Sequence, residues 1–323
     1  MRIEFIIPEG MYFEDFRAIL KNNTRILTEP PRTVYRTYYD SFDWRLYSNN
    51  SILEDTRDGS GHTLVWRTLK GNQRDSWLKL QKVPLFARDL PRGQLRDLLE
   101  PTLKMRELAP KVSIRSRINT LRILNKDDKT VAYLVFEENT LPRQQGTRSV
   151  KLDDRAIDIP VKGYQEPCRQ MDGLMEKQGL AAANDDLMLV ALSTIGVTPG
   201  NYSSKLDLTL GPAVRADQAT RGILHRLLDI MLQNEAGMRT GTDTEFLHDF
   251  RVAIRRTRSA LTQIKSVFPK RIVDRYKTEV AWLGQQTGPS RDLDVYLLNF
   301  DAVSYTHLTQ PTITSVCRCR GAA

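Results

Sequence analysis

The sequence predicts an α+β protein: an N-terminal antiparallel β sheet or barrel followed by an all-α helical bundle. Three observations carry this. From Met1 to about Pro160 the apolar residues come in short runs rich in β-branched and aromatic side chains, separated by polar loops such as Lys126-Asp127-Asp128. After residue 213 they recur at helical spacing instead. Between the two lies Thr198-Pro199-Gly200-Asn201-Tyr202-Ser203-Ser204, which is polar and turn-forming. With 323 residues and 40% hydrophobic content the chain is long enough for two cores. The expected boundaries are a β domain over 1–197, a linker over 198–212, a helical domain over 213–302, and a tail over 303–323 without periodic pattern.

Taken in order, Arg2–Ile7 reads as a first strand and Glu14–Lys21 as a helix. Arg32–Tyr39, Thr63–Leu69, Ser76–Lys82, Val112–Leu124, Val131–Glu137 and Ala156–Val161 read as further strands. Val150–Ile159 and Cys168–Leu180 then read as a strand and a helix that close the domain, and Asp186–Thr194 as a short helix. Many strands with few helices between them imply antiparallel pairing. In the helical part, Gln218–Gly237 has an apolar face built from Ile223, Leu224, Leu227, Leu228, Ile230, Met231 and Leu232, with Arg221 and His225 four apart on one side. His248–Lys265 is the next helix, capped by Asp243 or Thr244 and stopped by Pro269; Arg271–Gln285 is a third, and Ser290 can cap a fourth beginning at Arg291.

A formal charge of +9 favours acidic partners without saying which. Cys168, Cys317 and Cys319 are too few and too oddly placed for a disulfide framework, and no Cys or His spacing matches a zinc site. The start has no basic-then-apolar leader, and no run approaches the ~18 apolar residues of a membrane span. A cytoplasmic location and no membrane partner are the expectations.

The His248–Lys265 stretch carries the strongest chemical signal. At about 100° per residue it gathers His248, Arg251, Arg255, Arg258 and Lys265 within an arc of roughly 100°, with Arg256 on the flank. Between Phe250 and Val273 there are seven Lys or Arg and no Asp or Glu. Like charges at helical spacing repel by a few tenths of a kcal/mol per pair. An anion on that face relieves the repulsion, although a simply solvated basic face is an equally good reading of the composition alone.

The run His248-Asp249-Phe250-Arg251-Val252-Ala253-Ile254-Arg255-Arg256-Thr257-Arg258 resembles the signature of the CHAD family, a histidine-containing α-helical domain, and Arg291-Asp292-Leu293-Asp294-Val295 resembles its second motif. The resemblance runs from about Ala213 to Asp301 and implies a helical domain whose basic residues bind inorganic polyphosphate. His248, Arg251, Arg255, Arg256, Arg258 and Lys265 are then the binding residues, with Arg221 and His225 extending the surface, and binding needs no cofactor. Members continue for several more helices, so the helical bundle is expected to be truncated. The tail from Val303, with Val-Ser-Tyr-Thr-His-Leu-Thr-Gln-Pro-Thr, resembles translated sequencing-adaptor DNA. Homo-oligomerisation through exposed apolar faces, and association with polyphosphate granules, follow from the same expectation.

In the β half, Tyr38-Tyr39-Asp40-Ser41-Phe42-Asp43-Trp44-Arg45-Leu46 resembles a segment of the CYTH-type, or triphosphate tunnel, family. That resemblance, over roughly Met1 to Ser193, implies a closed antiparallel tunnel lined by Lys and Arg that grip triphosphate, with Glu residues holding Mg²⁺ or Mn²⁺ for phosphoanhydride hydrolysis. The tunnel cations would be Arg67, Lys70, Lys79, Lys82, Arg115 and Arg117, and the metal ligands Glu4, Glu137 and Glu138. Alternation sends every second strand residue outward, so each of these is equally open to an outward-facing reading. The first strand departs from the family's Glu-x-Glu-x-Lys: Arg2-Ile3-Glu4-Phe5-Ile6 keeps one Glu and places Arg at the first position, where a fixed positive charge opposes a metal. The domain is therefore expected to be a degenerate member with weakened or lost hydrolase activity. Polyphosphate binding is the leading expectation and a metal-dependent triphosphatase the second. A nucleic-acid binder is the third; charge alone supports it, with no recognised motif and no aromatic-basic interleaving near His248.

Overall fold

The computed structural model describes residues 3–59, 61–69, 76–142, 149–161, 163 and 172–298. It divides into two compact units, Met1–Ser203 and the chain from Ser204 onward.

The first unit is an antiparallel sheet. Its strands are β1 (Ile3–Ile6), β2 (Arg25–Thr28), β3 (Arg32–Asp40), β4 (Ser51–Asp58), β5 (Gly61–Thr68), β6 (Ser76–Leu80), β7 (Ala109–Leu124), β8 (Thr130–Leu141), β9 (Val150–Lys151), β10 (Arg155–Pro160) and β11 (Ala181–Ala182). The order is β11-β1-β10-β8-β7-β3-β4-β5-β6, with β2 also on β7 and β9 also on β8. Sequence pattern alone does not mark β4 as a strand, because Glu54-Asp55-Thr56-Arg57-Asp58 is charged at every position but Thr56. Pairing with β3 on one side and β5 on the other makes it one. The ladder ends at β6 and β11, and the sheet curls round a cavity lined by residues of β1, β3–β8 and β10.

Helices α1 (Phe13–Asn23), α2 (Arg45–Ser48), α3 (Gln94–Leu103) and α4 (Leu187–Thr194) pack on this sheet. Phe16 and Leu20 of α1 meet Phe5, Leu121, Leu134 and Phe136, whereas Leu95, Leu99 and Leu103 of α3 meet Leu53 and Leu64. α4 brings Leu187, Met188, Ala191 and Leu192 against Tyr38, Ile52, Val112 and Ile114, on the concave face. In the Tyr38–Leu46 segment, Asp40 is buried and accepts from the Leu46 and Tyr47 amides, both at 2.9 Å. Those bonds hold the start of α2, where Trp44 takes φ +57°, so this segment builds a turn.

In the second unit α5 (Ala216–Thr240) and α6 (Thr244–Gln263) form a hairpin, followed by α7 (Lys270–Gln286) and α8 (Gly288–Leu298). Gly241, at φ +64°, ends α5, and the Asp243 carboxylate caps α6 by accepting from Glu245 N at 2.9 Å and Phe246 N at 3.3 Å. Leu227, Ile230 and Met231 of α5, Phe250, Ala253 and Ile254 of α6, and Val280 of α7 make the core. Two sequence expectations shift. α6 stops at Gln263, which leaves Lys265 beyond its end, and α8 starts at Gly288, so Ser290 lies inside it and does not cap it.

Candidate functional site

Two cavities with charged side chains in their linings stand out, one in each unit. The helical one, of about 450 Å³, lies between α6, α7 and α8. Its lining includes His248, Arg251, Arg255 and Arg258 from successive turns of α6, and Arg291 from α8. Among the described residues no carboxylate stands in that lining. The turn-by-turn spacing explains the common direction of the α6 side chains, while the opposite stripe, Phe250, Ala253, Ile254 and Thr257, is buried.

Hydrogen bonds fix two of the arginines. Arg251 Nη1 donates to the Gly284 carbonyl at 2.8 Å and to Thr287 Oγ1 at 3.0 Å. Arg291 Nη1 donates to the Thr244 carbonyl at 3.4 Å, and its Nη2 lies 3.2 Å from His248 Nδ1. A guanidinium cannot accept, so Nδ1 is the acceptor in this contact and Nε2–H is the donor left to the imidazole. Arg255 and Arg258 remain exposed.

The other sequence candidates fall elsewhere. Arg256 turns away and donates to the Ser204 carbonyl at 2.8 Å. Lys265 is exposed past the helix end and does not line the cavity. Arg221 and His225 border a different groove, of about 350 Å³, walled by apolar side chains such as Leu228, Leu261, Ile272 and Tyr276. They therefore do not extend the His248 surface. Arg291 is the residue that the α6 pattern could not reveal, because it comes from a separate helix.

The cavity of the β unit, about 380 Å³, is lined by alternate residues of its strands. β3 supplies Arg32, Val34, Arg36 and Tyr38, and β10 supplies Arg155 and Ile157. Five cations, Arg32, Arg36, Arg67, Lys79 and Arg155, are matched there by five carboxylates, Glu4, Glu54, Asp58, Glu137 and Asp186. Most are engaged with one another. Arg36 meets Glu137 through a two-pronged contact and Glu54 at 3.3 Å; Arg155 meets Glu4 at 3.0 Å; Arg67 meets Asp186 at 2.6 Å. Asp186 also caps α4 by accepting from Met188 N at 2.9 Å. Burial works against charge on Arg36 and Arg67, but their carboxylate partners outweigh it and raise both pKa values. Burial, with Glu54 and Asp186 nearby, pushes the Tyr38 phenol well above its ordinary value.

Of the tunnel residues expected from sequence, Arg67, Lys79, Glu4 and Glu137 line this cavity. Arg115, Arg117 and Glu138 do not: Ile118 and Glu137 point inward, so their neighbours in the alternation face out. Lys82 follows the end of β6 and is exposed, while Lys70 and Cys168 lie outside the described residues. Arg36, Arg155, Glu54 and Asp186 went unmarked. The Arg32-x-Val34-x-Arg36 alternation was a usable sign for the first, but deciding its face needs the strand register.

The donor set does not fit a resident Mg²⁺ or Mn²⁺. Glu4 and Glu137 are each held by an arginine, Glu138 is on the other face, and no group of three His, Cys, Asp or Glu gathers as a metal site among the described residues.

Residues 222–317 match the CHAD domain family model, in agreement with the two sequence motifs. No curated protein matches the chain. Among solved structures, a protein from Bacillus halodurans described as a candidate adenylate cyclase is 11% identical, with 58% of this chain and 94% of that one covered and a TM-score of 0.40. A candidate adenylyl cyclase from Hippeastrum, described as having a dominant triphosphatase activity, is 11% identical over 62% of this chain and 99% of its own, with a TM-score of 0.44. A candidate adenylate cyclase from Vibrio parahaemolyticus is 8% identical over 59% and 95%, with a TM-score of 0.36.

Proposed function

We propose that this protein binds inorganic polyphosphate in the cavity between α6, α7 and α8. The observation that carries the reading is the convergence of Arg251, Arg255, Arg258 and Arg291 with His248 in a lining that, among the described residues, holds no carboxylate. A flexible chain with about one negative charge per phosphate is held by such a group through charge and counterion release, without any sequence to read. Guanidinium forks suit phosphate oxygens, and the His248 Nε2–H adds one directed donor. The match to the CHAD model over this region supports the same reading. Titration with long-chain polyphosphate at several salt concentrations tests it. Affinity should fall linearly on a log–log plot, and absence of binding at low salt would sink it.

The β unit has a second reading, a triphosphatase, favoured by the presence of both charge signs in one cavity. The charge balance there argues for weak anion binding, since a triphosphate must displace existing ion pairs. With Ile6 at the third position of the first-strand pattern and a carboxylate set that does not fit a metal, we infer that hydrolysis is weak or lost and derive no hydrolytic step. No described helix is long and apolar enough to cross a membrane, and we take the cytoplasm as the place of action.

A further inference from the structure

The residues that alternation turns away from the cavity form a surface of their own. On β7, Ser113, Arg115 and Arg117 are all exposed while Val112, Ile114, Ser116 and Ile118 are buried. Strand register extends this surface sideways. Tyr35 of β3 stands opposite Arg57 of β4 on one side and Arg115 of β7 on the other. Arg115 is opposite Thr140 of β8, and Thr140 is opposite Lys151 of β9. Directly paired residues share a face, so Arg57, Tyr35, Arg115, Thr140 and Lys151 make one row across five strands. At ~4.8 Å per strand its cations stand roughly 10 Å apart, with an aromatic ring between the first two.

Tyr35 is 42% exposed, with the Arg57 guanidinium over one face of the ring, 5.3 Å from its centroid, so a base would take the other face. Beside the row, Arg117 sits opposite Glu138, 3.9 Å away with both side chains about half exposed, and within the row Lys151 is 2.8 Å from Asp154. His62, opposite Arg57 on β5, is engaged by Asp55 at 2.8 Å. Inorganic polyphosphate has no use for an aromatic platform. A ligand that alternates planar rings with phosphates does.

We propose that this outer sheet face binds single-stranded nucleic acid, with a base stacked on Tyr35 and the flanking phosphates held by Arg57 and Arg115. The site is separate from the α6 cavity and does not depend on the polyphosphate reading. Its test is fluorescence anisotropy with a labelled oligouridylate of about 16 nucleotides, against long-chain polyphosphate as a second ligand. Tyr35→Ala should weaken the oligonucleotide about tenfold, the loss of one stacked base, while Tyr35→Phe stays within about twofold of wild type and polyphosphate binding is unchanged. Tyr35 is exposed, so melting curves should show each variant folded. The proposal fails if the wild type binds no oligonucleotide, or if Tyr35→Ala binds it as the wild type does. It fails equally if Arg57→Ala/Arg115→Ala loses both ligands alike while Tyr35→Ala loses neither, which would make the row a bare anion track.

Discussion

Arg36 on β3 reaches across β7 to Glu137 on β8, its Nη1 2.7 Å from the carboxylate Oε2, with only 11% and 5% of the two side chains exposed. Glu54 closes on the same guanidinium from β4. This pairing ties three strands together and occupies one of the cations that an anion in the cavity would need.

Removing one partner leaves a buried charge uncompensated, which costs about 3 kcal/mol or more. Glu137→Gln, which leaves Arg36 with Glu54 alone, should lower stability by up to that order in urea denaturation, and Arg36→Met/Glu54→Leu/Glu137→Leu, which strands no charge, should recover most of the loss. A Glu137→Gln variant as stable as wild type would show that the pair does not hold the sheet.

Gly237 on α5 faces Phe246 on α6, and a Cβ at that position would overlap the aromatic ring. Gly→Ala inside a helix ordinarily gains up to ~1 kcal/mol, but here overpacking should reverse the sign, to a loss of about 1–3 kcal/mol. Thermal unfolding of Gly237→Ala decides between the two signs.

In the helical cavity, Arg291→Ala should weaken polyphosphate binding about tenfold, since it removes both a cation and the partner of His248. Arg256→Ala and Lys265→Ala should each stay within about twofold of wild type, as exposed charges outside the lining. The reverse order of effects would return the site to the outer flank of α6.

Much of this was legible in the sequence, and the rest was hidden for physical reasons. Helical spacing marks His248, Arg251, Arg255 and Arg258 as one face because the period is built into the helix. Arg291 belongs to another helix, and only packing brings it to His248. On strands, alternation separates two faces without saying which is inside. Arg115 and Arg117 therefore passed for cavity residues, while Arg36 and Arg155, whose partners are 101 and 151 residues away, stayed invisible.

Asp55 gives the fold a pH signature. Burial raises its pKa above the ordinary value near 3.8, outweighing the hydrogen bond from His62. The folded chain then holds the proton more tightly than the unfolded one, so stability present at low pH is lost as pH rises through the folded pKa. Urea denaturation from about pH 4 upward should show Asp55→Asn gaining stability relative to wild type as pH rises. A constant difference across that range would contradict the assignment.

The central claim, that the α6 cavity is the polyphosphate site, is tested most directly by titrating wild type and Arg251→Ala/Arg255→Ala/Arg258→Ala with long-chain polyphosphate at two salt concentrations, beside a duplex DNA control. The account predicts that the variant loses the tight mode and that its log–log salt slope shrinks by roughly two, for three contacts at ~0.7 each, with duplex DNA binding far more weakly. Equal binding and equal slopes for the two proteins would contradict it, and would leave the α6 face as an ordinary solvated surface.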